Sequence, residues 1–66
     1  MIATIRNVDS TRTDFLRDLR NADPSDHAAV KRRYADMISE WEPADDDALD
    51  ALSELTSMVD GFEVSA

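Results

Sequence analysis

Asp23 to Trp41, DPSDHAAVKRRYADMISEW, carries the longest helical pattern in the chain. Val30, Tyr34, Met37, Ile38 and Trp41 recur at spacings of four, three, one and three. On a helical wheel they make one apolar stripe roughly 100° wide, enough for a central packing face. Asp23 stands where an N-cap is wanted, Pro24 suits the first helical position, and the carboxylate of Asp26 can reach back to free N–H groups. Pro43 ends the pattern, because the residue before a proline is pushed away from helical angles. The spacing therefore predicts a helix over about 24–42.

Outward from it, the pattern repeats twice. Phe15, Leu16, Leu19 and Ala22 predict the buried edge of a helix over about 10–22, capped by Ser10 or Thr11. Leu49, Leu52, Leu55 and Val59, with Ala48 beside them, predict a third over about 44–60. Gly61 falls where a left-handed C-cap suits, and Phe62 can fold back on the last turn. Short connections make consecutive helices antiparallel neighbours. Residues 1–9 read as an extended arm, though Ile2, Ile5 and Val8 fit a helical turn equally well. The expected fold is all-α: one domain over 1–66, a small antiparallel three-helix bundle with an N-terminal arm, self-contained or completed by a second copy.

Size presses toward that second copy or another partner. A chain of 66 residues buries only about 60% of its unfolded surface. With no cysteine and one histidine it has no disulfide and no structural zinc site, so no metal and no cofactor are expected. It has no apolar run long enough to span a membrane and no secretory pattern at its N-terminus. The expectation is a cytoplasmic protein, in the host cytoplasm if phage-encoded, with no membrane partner.

The net charge is −8, and its layout is uneven. Residues 1–33 hold all seven basic residues and five acids, a net of +2; residues 34–66 hold ten acids and no Lys or Arg, a net of −10. Glu40, Glu42, Asp45, Asp46, Asp47, Asp50 and Glu54 put seven carboxylates within fifteen residues. Asp46, Asp47, Asp50 and Glu54 cluster on the helix face opposite Leu49, Leu52 and Leu55. Carboxylates three or four apart on a helix lie about 5–6 Å from each other and repel. The three aspartates at the helix start suit the macrodipole and capping, but Asp50 does not gain from either, and Asp is a poorer helix former than Glu.

These features lead to a non-enzymatic binding module. Asp46, Asp47, Asp50, Glu54, Glu40 and Glu42 would occupy a basic, nucleic-acid-binding surface of a partner protein, as DNA-mimic and phage-encoded anti-CRISPR inhibitors do. The competing account is a solvated helix face, which charge runs usually mark. A second reading is a scaffold subunit that homo-oligomerises through Tyr34, Met37 and Trp41. A third, a dimeric DNA-binding regulator of ribbon–helix–helix order, is opposed by a charge that repels nucleic acid. His27 has no nucleophile at usable spacing and the serines have no base, so no catalytic residue is expected. Asp45-x-Asp47 fails as a calcium loop, because Leu49 replaces the next oxygen ligand and no glycine follows. Lys31, Arg32 and Arg33 point about 100° apart and form no patch, and Arg32 is placed to pair with Asp36.

Overall fold

The computed structural model describes residues 1–64, which form three helices packed on one another and one short strand pair. In chain order these are β1 (Ile2–Ala3), α1 (Ile5–Asn21), α2 (His27–Ser39), β2 (Glu42–Pro43) and α3 (Asp46–Gly61), with a 3-10 turn at Pro24–Asp26.

The arm is shorter than the nine residues expected, and α1 starts at Ile5, well before Ser10. Thr4 is the cap: its hydroxyl accepts from the Asn7 N–H at 3.2 Å. That satisfies an orphan donor of the first turn. Ser10 and Thr11 then lie inside the helix, and Thr11 is buried with Val8, Phe15 and Leu19. The core face is therefore spaced three, four, four. Leu16, expected in the buried edge, is 47% exposed because the face is centred one step away from it.

What remains of the arm pairs inside the chain. β1 runs parallel to β2, with Ile2 beside Glu42 and Ala3 beside Pro43. The Glu42 N–H donates to the Met1 carbonyl at 2.8 Å and the Ala44 N–H to the Ala3 carbonyl at 2.9 Å. Donors on one edge of a strand alternate, so the N–H that Pro43 lacks is one this ladder does not need. Because β1 leads into α1 and β2 into α3, the pair holds the starts of those helices side by side.

Between α1 and α2, Pro24 to Asp26 form the 3-10 turn, and α2 begins at His27. Neither Asp23 nor Asp26 makes the expected side-chain capping bond. His27 ties the turn down instead, with its Nε2–H donating to the Leu19 carbonyl at 2.9 Å. The helix ends at Ser39, so Trp41 lies beyond it, half-buried against the core, with its N–H on the Ile38 carbonyl at 3.1 Å.

The third helix is capped by Asp45, whose carboxylate accepts from the Ala48 N–H at 2.8 Å. Asp45→Ala should cost about 1 kcal/mol. For a chain this short that lowers the melting temperature by about 4–8 °C, readable in a far-UV thermal scan. Ala48, Leu52, Leu55 and Val59 are buried as expected, and Leu49 alone departs, 47% exposed at the edge of the face. Gly61 is the last helical residue and has no positive φ. The left-handed cap is absent, and Lys31 supplies another ending: its ammonium donates to the Asp60 and Phe62 carbonyls, each at 3.0 Å. A cation at the negative end of the dipole is what α3 cannot provide from its own sequence. The Phe62 ring packs across the bundle, 6.1 Å from Phe15 on α1 and 5.7 Å from His27 at the start of α2.

Candidate functional site

Asp46, Asp47, Asp50 and Glu54 are all exposed on α3, and Glu40 and Glu42 are exposed on the segment that leads into it. Helical geometry puts Asp50 one turn from each of Asp46, Asp47 and Glu54, with Cβ separations of about 5–6 Å. Asp46 and Asp47 sit in the first turn, where free N–H groups favour negative charge. Asp50 and Glu54 lie beyond it. Glu40 is the C-cap residue of α2, and its carbonyl accepts from the N-terminal ammonium at 3.5 Å. Glu42 is held by the strand pair. The two glutamates thus come from an anchored turn rather than a free loop.

The ion pairs lie elsewhere. Arg12 meets Asp9 at 3.2 Å, Arg17 meets Asp14 at 3.3 Å and Asp18 at 3.8 Å, and Arg33 meets Asp18 at 3.3 Å. Every carboxylate in these pairs belongs to residues 1–33. The expected Arg32–Asp36 pair is not formed; Arg33 bonds across to α1 instead. Among the described residues, none of Glu40, Glu42, Asp46, Asp47, Asp50 and Glu54 has an ion-pair partner. The ion pairs answer three of the five acids in the basic half, Asp9, Asp14 and Asp18, and reach none of the six carboxylates. Nothing in the sequence fixes this, since it depends on which way the arginines of α1 and α2 reach.

The stripe that the scaffold reading would use is turned largely inward. Tyr34 is only 7% exposed, with its ring 5.1 Å from Phe15, and Trp41 is half-buried. Met37 alone of the three stands at the surface, 38% exposed. The Tyr34 hydroxyl donates to the Asp18 carboxylate, and the Arg33 guanidinium lies 5.5 Å from its ring centre. This α1–α2 cluster was not legible from spacing, since its members are fifteen and sixteen residues apart.

The Tyr34 phenol is pushed up to about 12 from 10.0, first by burial, then by its bond to Asp18 and by the carboxylate charges of Asp18 and Asp14; Arg33 opposes in part. An unfolded chain releases that proton near its ordinary value and the folded chain later. The contribution to stability is therefore complete below pH 10 and is lost as pH climbs through about 12. Tyr34→Phe should remove this alkaline loss and cost about 1–2 kcal/mol at neutral pH, where a charged acceptor loses its donor. Urea melts across alkaline pH check both. The chain has one tyrosine, so phenolate absorbance reads its titration directly.

Among the described residues no three His, Cys, Asp or Glu side chains converge to hold a metal ion, and no helix is long and apolar enough to cross a membrane. Compared with family models, with curated proteins and with solved structures, the chain has no match.

Proposed function

We propose that this chain is a non-enzymatic binding module whose acidic α3 face occupies a basic, nucleic-acid-binding surface of a partner protein. The observation that carries the reading is the strip itself: six exposed carboxylates on a capped helix and an anchored turn, none of them in an ion pair among the described residues. Mutual repulsion is a standing cost that a cationic partner would relieve on binding. A duplex presents its phosphates in a similar way, as closely spaced anions on a rigid support. The module would steer toward basic grooves and compete with nucleic acid there, needing no catalytic group, cofactor, metal or membrane. In size and charge it matches inhibitors of the DNA-mimic type, phage-encoded anti-CRISPR proteins among them, which would place it in a host cytoplasm. We read its consecutive helices as antiparallel.

Affinity capture from nuclease-treated lysate tests this, with wild type beside a variant carrying Asp46→Asn, Asp47→Asn, Asp50→Asn and Glu54→Gln. A nucleic-acid-binding protein should be retained by wild type and lost both in the variant and at moderate salt. Equal retention by both chains would remove the reading. Assembly through Tyr34, Met37 and Trp41 has less support, because Tyr34 is taken up by the chain's own core.

A further inference from the structure

Two apolar side chains on α1 stand outside the core cluster: Ile5, 49% exposed, and Leu16, 47% exposed. At 100° per residue, Ile5, Asp9, Arg12 and Leu16 fall within an arc of about 60° on one face of α1. Their spacing of four, three, four is that of a coiled-coil seam, and all four are exposed. In order they read apolar, acid, base, apolar. Reversed, with acid and base exchanged, the stripe is the same.

We propose that this stripe is a homodimer seam, with α1 of one copy antiparallel to α1 of a second about a two-fold axis crossing between Ser10 and Thr11. One register satisfies every position. Ile5 lies against Leu16 of the second copy and Asp9 against Arg12 of the second copy, each contact occurring twice, as an isologous interface requires. The Asp9–Arg12 pair already formed within each chain at 3.2 Å becomes a ring of four alternating charges. Charge selects this face as well. Two chains of net charge −8 repel, and the seam uses the half whose net charge is +2 while leaving Asp46, Asp47, Asp50 and Glu54 outside the contact. The dimer would present two acidic strips, so a partner with two basic sites would gain by avidity. A seam of one helix per copy lies at the low end of interface sizes, below roughly 1,200 Å², so the association is weak and concentration-dependent.

Sedimentation of the full chain over rising concentration is the test, with far-UV spectra to show that each variant folds. Wild type should rise from the monomer mass of 7.4 kDa toward twice that value. Leu16→Glu should stay monomeric. Arg12→Asp and Asp9→Arg should each weaken self-association at least tenfold, since each sets like charges across the axis. An equimolar mixture of those two variants should associate again, because one then presents two acids where the other presents two bases. Wild type that stays monomeric at every concentration would overturn the proposal. So would Leu16→Glu associating as wild type does, or a mixture no more associated than its components.

Discussion

Phe15→Ala should remove about a third or more of the chain's folding stability. Phe15 is fully buried, and its ring touches Tyr34 on α2 and Phe62 beyond the end of α3, so one side chain joins all three helices. Truncating a buried phenylalanine costs about 3–5 kcal/mol, counting lost transfer free energy and the cavity left behind. At about 0.05–0.15 kcal/mol per residue, a chain of this length has only about 3–10 kcal/mol in total. No disulfide limits the loss. A far-UV spectrum and a urea melt give the answer. The neighbouring Leu16→Ala is the control: the side chain is half exposed, and its loss should stay within about 0.5 kcal/mol at concentrations where the chain is monomeric. Equal costs at the two positions would mean that α1 does not pack through the Val8, Thr11, Phe15 and Leu19 face.

The second large effect concerns binding rather than stability. Neutralising Asp46, Asp47, Asp50 and Glu54 together should weaken the captured partner by roughly 100-fold. Exposed charge pairs contribute about 0.2–1 kcal/mol each. Four at about 0.7 kcal/mol make roughly 2.8 kcal/mol, and 1.4 kcal/mol is a tenfold change in affinity. Most of the loss should appear in the association rate, since exposed charges act by steering. The fold should survive, because the substitutions remove repulsion at exposed positions and leave the Asp45 cap in place. Binding kinetics at two salt concentrations check this: wild type should lose affinity with salt and the variant should hardly respond. A variant that binds as tightly as wild type would assign the acids to solubility alone.

Much of the architecture was legible because helical periodicity survives in a single sequence. The apolar residues of α2 and α3 gave the number of helices and their rough spans. The centre of each face was harder. Leu16 and Leu49 attract attention as large apolar residues yet stand at the surface, while the smaller Thr11 and Ala48 are buried on the faces that pack. Periodicity gives the width of a face, and neighbours decide its centre. The start of α1 was ambiguous for a local reason: Ile2, Ile5 and Val8 suit a strand or a helical turn, and the Thr4 cap decides between them. The parallel pair of β1 and β2 left no trace, since two residues cannot show an alternation and the partners lie forty apart.

The same division holds for the site. The exposure of the acidic strip could be read from the apolar face opposite it. Whether the chain's own arginines answered it could not, because Arg33 reaches Asp18 on α1 and Lys31 reaches the carbonyl end of α3 through the tertiary fold. Those contacts use two of the basic residues nearest the acidic half in sequence and leave the strip open.

Competition between this chain and duplex DNA for the captured partner tests the central claim most directly. A labelled duplex bound to that partner should be released by wild type in proportion to its concentration. The variant neutralised at Asp46, Asp47, Asp50 and Glu54 should need roughly 100-fold more to release the same amount. Simultaneous binding of duplex and chain, with no release at any concentration, would contradict it, because the acidic face would then lie away from the nucleic-acid groove.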